Sequence, residues 1–261
     1  RCGIDLVQFP EYFLSGGDER VRRALLDRDA STLNIVGNLC AELGVACIVG
    51  YAEREHESEG SDSNASKAYY NALALFHADG SRAGNYRCVH PIGDGGDSDS
   101  AKPGHPLVEA IPIALRLPDR GEDTTGRELK VGPLCGNDAL MPEHARHLTR
   151  SGAQVLVVAG FACDAVVAEA VLPTRSIENG LPLLFSNYCG IDPHEDADDD
   201  AGDDDDDDDD DDADGNEEHR TIRDAGGRST VVSPTGTDLV RAPTSANGDM
   251  PASDGYLLPC G

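Results

Sequence analysis

Short apolar runs alternate along this chain with stretches in which apolar residues recur at helical spacing. Ile4 to Phe9 is a run of strand length closed by Pro10, Arg22 to Glu42 carries apolar residues three and four apart, and Val45 to Tyr51 is again a strand-like run. The opening therefore predicts strand, helix, strand. The polar stretch from Glu53 to Ser66 predicts a loop. Tyr70 to Phe76 then pairs across the turn Ala78-Asp79-Gly80 with Ser81 to Arg87, a hairpin by composition, and residues 91–106 are rich in Gly, Pro, Asp and Ser and predict a loop. Leu129 to Leu134 and Gln154 to Ala159 predict strands on either side of a helix, Pro142 to Ser151, that opens with Pro and Glu. Ala165 to Asn179 predicts a further helix and Pro182 to Ser186 a buried strand. Near the end, Ser229 to Ser233 and Thr237 to Arg241 flank the turn Pro234-Thr235-Gly236, and Tyr256 to Leu258 predicts a last edge strand. Hairpins mixed with crossover helices predict α/β layers with a partly antiparallel sheet.

Length and composition narrow this picture. A chain of 261 residues with 39% apolar content can bury one large core, so residues 1–261 are expected to form a single domain. No segment approaches the roughly 20 apolar residues that a membrane helix needs. Arg1 to Leu6 passes straight into a strand pattern without the features of a signal peptide, which predicts a cytoplasmic protein. The formal charge of −28 is local: residues 192–218 hold 19 acidic and no basic residues, leaving 30 acids against 21 bases elsewhere. The unbroken run Asp203 to Asp212 repels itself, and residues 192–218 are expected to be a disordered acidic insertion. No basic patch is present, so nucleic acid is not an expected partner. The eight cysteines (Cys2, Cys40, Cys47, Cys88, Cys135, Cys163, Cys189, Cys260) contain no CxxC pair, which predicts reduced thiols and no metal site. His144 and His147 lie three apart on a predicted helix without a zinc-protease pattern and are read as a solvated face.

Five blocks resemble the nitrilase superfamily of carbon-nitrogen hydrolases, in the family's order. Asp5-Leu6-Val7-Gln8-Phe9-Pro10-Glu11 is similar to its "DLVVFPE" segment, and Tyr70-Asn71, Gly80 and Tyr86-Arg87-Cys88-Val89-His90 to "YNS...G....YRKVH". Gly152 to Val158 resembles "GADLLLVP", Arg175 to Asn179 with Asn187 and Gly190 "RAIEN...N..G", and Gly227 to Gly236 "G.S.IVDP.G". The resemblance implies a four-layer α-β-β-α sandwich that assembles into homo-oligomers through its helices. It also implies that a strand and a long helix precede the first block in typical members, so the chain is expected to be incomplete at its N-terminus, with the apolar edge at Leu6 and Val7 open.

The family's reaction uses a cysteine nucleophile, a glutamate base and a lysine that stabilises the oxyanion, with no cofactor and no metal. Glu11 stands at the glutamate position. Cys88 stands at the lysine position and cannot supply a cation. The nucleophile block reads Gly132-Pro133-Leu134-Cys135-Gly136-Asn137-Asp138-Ala139-Leu140-Met141-Pro142-Glu143; with Asp138, Pro142 and Glu143 in register, Gly136 occupies the cysteine position. Cys135 comes one residue early, and a shift of one along a strand turns the side chain to the other face unless a bulge returns it. The family's additional glutamate cannot be assigned among Asp94, Asp97, Asp99 and Glu109. The resemblance thus implies a catalytically impaired carbon-nitrogen hydrolase. The alternatives are an active thiol amidase that uses Cys135 and Glu11 on a small amide, nitrile or carbamoyl compound, and a diverged product without selected activity.

Overall fold

The structure is a computed structural model that describes residues 3–16, 26–55, 69–91, 101–115, 128–161, 166–188 and 227–242. Its strands are β1 (Leu6–Gln8), β2 (Ala46–Arg54), β3 (Tyr69–Phe76), β4 (Arg82–Arg87), β5 (Ile111–Ala114), β6 (Glu128–Cys135), β7 (Val155–Ala159), β8 (Leu183–Ser186), β9 (Thr230–Val232) and β10 (Asp238–Arg241). The helices are α1 (Ser31–Leu43), α2 (Pro142–Arg150) and α3 (Leu172–Asn179); a 3-10 turn, Asn137–Leu140, precedes α2, and a π turn, Val167–Val171, runs into α3. Gly44 ends α1 in the left-handed conformation, its N–H donating to the Cys40 carbonyl. Pro173 lacks the N–H that a regular helix would return to Glu169, and the wider π turn lies just before it.

Two sheets form. The first has the order β1-β2-β3-β4, with β1 parallel to β2 and the rest antiparallel; the second has the order β10-β9-β8-β7-β6-β5, with β6, β7 and β8 parallel and both flanks antiparallel. Alternation along each strand assigns the faces. Ile48, Leu73 and Leu75 of the first sheet meet Val131, Cys135, Val155 and Val157 of the second in one core between the sheets. Cys47, Val49, Tyr51, Ala72 and Ala74 point the other way, into a core with Leu33 and Cys40 of α1. Leu134, Leu156, Val158 and Leu183 likewise turn away from the centre and pack on Ala145 and Leu148 of α2 and Leu172 of α3. The layers are therefore α-β-β-α, as the resemblance implied.

Several expectations need correction. The first strand is only Leu6–Gln8, at the edge of its sheet, and α1 begins at Ser31, because Leu26 is bridged to Glu53 in extended backbone. Glu53 is no loop residue: it lies within β2 fully buried, with the Arg87 guanidinium on both its oxygens at 2.8 and 3.0 Å. The strand β5 was not foreseen, since Pro112 disguises it; a proline is tolerated there because β5 is an edge strand. The acidic stretch 192–218 and the expected strand from Tyr256 to Leu258 lie outside the described residues.

Candidate active site

The carboxyl ends of the parallel strands β6, β7 and β8 share one edge of the second sheet, where open α/β sheets place their ligands. The segment after β1 crosses to that edge. Gln8 donates from Nε2 to the Val158 carbonyl of the opposite sheet at 2.7 Å, and the Glu11 N–H donates to Gly160, just past β7, at 3.3 Å. Gly50 permits this crossing: a Cβ there would stand 2.2 Å from the Pro10 carbonyl oxygen and 2.7 Å from the Glu11 Cα. Tyr12 takes a positive φ of 53° at the bend, and Tyr188 donates its hydroxyl to the Glu11 carbonyl at 2.9 Å.

Glu11 is thereby buried at 4% exposure. Its Oε2 accepts from Asn71 Nδ2 at 2.8 Å, and its Oε1 accepts the backbone N–H of Gly136. Burial raises the Glu11 pKa to about 7, with Asp138 adding to the rise, against the lowering effect of the Gly136 and Asn71 hydrogen bonds. A carboxyl group of this kind can give or take a proton near neutral pH. The amide oxygen of Asn71, Oδ1, is buried without a hydrogen-bond partner among the described residues.

Gly136 begins the turn that follows β6, with φ −48° and ψ −55°. Cys135, the last residue of β6, shares the inward face with Val131 and packs fully buried between the sheets. No bulge interrupts the β6–β7 register, which runs unshifted from Val131 to Cys135. Cys88 follows β4 in the same core, its N–H donating to Asn71 at 2.8 Å. The two sulfurs lie within 4.8 Å of each other. Burial, the Cys88 thiol and nearby Glu11 push the Cys135 thiol well above the ordinary range. The neighbouring Cys135 thiol works to lower the Cys88 pKa, but burial with Asp138 and Glu11 nearby carries it up to about 11. Both cysteines are thus neutral thiols at pH 7, the less nucleophilic form.

Asp138, used in the sequence only to fix register, proves to organise the turn. Fully buried, it accepts the Tyr86 hydroxyl on Oδ2, the His90 N–H at 2.8 Å and His90 Nδ1 at 3.1 Å on Oδ1, and the Val89 N–H at 3.2 Å on either oxygen. His144 is not a freely solvated histidine: its ring meets that of His90 edge-on at 4.9 Å. Around the bend, Tyr12 packs edge-on against Tyr69 and Phe161, and Phe161 against Tyr188. Glu109 is exposed, while Asp94, Asp97 and Asp99 lie outside the described residues.

The structure therefore brings Glu11, Gly136, Cys135 and Cys88 to one place. Residues 1–250 match the family model described as carbon-nitrogen hydrolase. The protein described as a hydrolase in the pqqF 5' region of Pseudomonas protegens is 30% identical over 193 residues, which cover 71% of this chain and 59% of that protein. The chain thus spans well under two thirds of that relative. Among solved structures, a carbon-nitrogen hydrolase from Helicobacter pylori G27 superposes with a TM-score of 0.60 at 22% identity, over 92% of this chain and 73% of that one. An amidase from a Nesterenkonia species gives 0.61 at 20% identity over 93% and 74%. Saccharomyces cerevisiae Nit3, described as a member of branch 10 of the nitrilase superfamily, gives 0.62 at 18% over 92% and 73%. With the family model matching nearly its whole length, the chain belongs to the carbon-nitrogen hydrolase family.

Proposed function

We propose that this protein is a catalytically impaired carbon-nitrogen hydrolase that keeps the family's glutamate pocket for binding a small amide or carbamoyl compound. The observation that carries this reading is the Gly136 N–H donating to Glu11: a residue without a side chain stands against the base where the family places its cysteine. Cys135 faces the core between the sheets, and Cys88 offers no cation to a developing oxyanion. Glu11 with Asn71 still presents a donor-acceptor pair suited to a primary amide. Free buried thiols fit a reducing, cytoplasmic setting, and assembly through α1 as a homo-oligomer is part of the proposal.

A thiol amidase built on Cys135 is the second reading. It is favoured by Glu11, whose pKa near 7 suits a base beside a thiol. Turnover of a panel of small primary amides, nitriles and carbamoyl compounds, with iodoacetamide labelling of the native protein, separates the two. The impaired reading expects no turnover above a Cys135→Ser control, no labelling of Cys135, and amide-dependent thermal stabilisation that Glu11→Ala abolishes. Turnover lost in both Cys135→Ser and Glu11→Gln would overturn it.

A further inference from the structure

Cys88 and Cys135 are far apart in sequence and match no ligand spacing, yet the fold brings them together with a carboxylate. Their two sulfurs and one carboxylate oxygen of Asp138 all lie within 4.8 Å of one another, and all three residues are buried. The other buried thiol pair, Cys40 and Cys47, has no such carboxylate: the cluster at Asp138 is the one group of three possible donors among the described residues. Two sulfurs with one hard oxygen is a donor set that suits zinc and excludes magnesium or calcium.

The electrostatics point the same way. Glu11 and Asp138 are both buried here, as is Cys88, which stands where the resemblance places a lysine. The buried guanidinium of Arg175 is no substitute, since it is spent on the Ala139 and Leu140 carbonyls and on Glu178. We propose that Cys88, Cys135 and Asp138 form a binding site for a thiophilic divalent cation, zinc by the chemistry of its donors, which restores positive charge at the place of the missing lysine.

Asp138 is prepared for this. His90 holds Oδ1 with its N–H and its ring nitrogen, while Oδ2 accepts the Tyr86 hydroxyl and shares the Val89 N–H with Oδ1; as an ion takes the shared lone pair of Oδ2, the Val89 N–H stays on Oδ1 alone. The His90 ring is 41% exposed and marks the side from which an ion would enter. Tetrahedral zinc holds sulfur and oxygen donors roughly 3.5 to 3.8 Å apart, so the cluster, within 4.8 Å, closes by about 1.3 Å at most. Each thiol gives its proton to solvent as its sulfur ligates, and the fourth position is left to a water or ligand atom.

The test uses the full-length protein, reduced and freed of metal, titrated with Co2+ and then challenged with Zn2+. The expected result is thiolate-to-cobalt charge-transfer absorption that saturates at one ion per chain and disappears as Zn2+ displaces cobalt. The absorption weakens in Cys88→Ser and in Cys135→Ser and is absent in the double variant. His90→Ala, which takes the ring nitrogen from Asp138 Oδ1 and leaves the backbone N–H in place, lowers the affinity roughly 10-fold or more. Ion uptake without a sulfur band, unchanged in the double variant, assigns binding to the acidic run and overturns the proposal. Should a serine variant fail to fold, X-ray absorption of the zinc-loaded wild type decides: two sulfurs at about 2.3 Å support the site and a shell of oxygens alone overturns it. The function proposed above fails separately, on amide turnover.

Discussion

At the scale of residues, the backbone of Gly136 and the protonation of Glu11 carry the two sharpest expectations. Gly136 sits at φ −48°, ψ −55°, a right-handed helical conformation open to any residue. A Gly136→Cys, Cys88→Lys double variant should therefore fold, gain an iodoacetamide-reactive thiol absent from the wild type, and acquire amidase turnover. A folded double variant with no reactive thiol would show that Gly136 is not the nucleophile position. Glu11 holds its proton to about pH 7 in the folded state against 4.5 for the ordinary group. Between these values the folded state binds more protons than the unfolded, so stability falls as pH rises; below 4.5 the contribution vanishes and above 7 the full cost is present. Glu11→Gln should thus be more stable than the wild type above about pH 8, by up to about 3 kcal/mol, with the gap closing toward acid pH in denaturant titrations. The glutamine can be satisfied, because turning over the Asn71 amide presents its unpartnered oxygen to the new donor. Glu11 and Gly136 were legible from their motifs; the pairing of Cys88 with Cys135 was not, since no local spacing encodes a contact made by two strands from different sheets.

At the scale of elements, the block Arg175 to Asn179 turns out to be structural. Arg175 of α3 donates Nε to the Ala139 carbonyl at 2.8 Å and a terminal nitrogen to Leu140 at 3.0 Å, tying the helix to the turn that carries Gly136 and Asp138. Its third contact is Glu178 on the same helix at 2.9 Å. Arg175→Ala should cost about 3 kcal/mol in urea unfolding, because one buried and one part-buried carbonyl lose a charged donor. It should also loosen the turn, seen as faster hydrogen exchange at the amides of residues 136–140. A change below about 0.5 kcal/mol would contradict that role. Most elements were readable because their apolar period is regular over five or more residues. The exceptions have local causes: Pro112 hides β5, and Glu53 reads as loop because its partners Arg87 and Asn85, distant in sequence, make its burial affordable.

At the scale of the whole molecule, an apolar helical face stands exposed among the described residues. Ile35, Leu39 and Leu43, four apart on α1, are 59%, 49% and 65% exposed, an apolar stripe on the outside of the first sheet's helix layer. Leu39→Glu is expected to turn an assembled protein into monomers in light scattering while leaving its circular dichroism unchanged; a wild type already monomeric would refute the use of this face. The layer order was legible from the order of five sequence blocks. The helix stripe was not singled out, because the same spacing in sequence serves a buried face equally well.

The Gln8 side chain links these scales. A three-residue strand at a sheet edge sends one amide across the core to the backbone of the other sheet, 2.7 Å from the Val158 oxygen. That reach works as a gauge block between the two halves of the sandwich: the length of one side chain sets how far apart they stand where Glu11 enters. Trimming it by a single methylene, as in Gln8→Asn, would reset the spacing of the two sheets beside Glu11 without touching Glu11 itself.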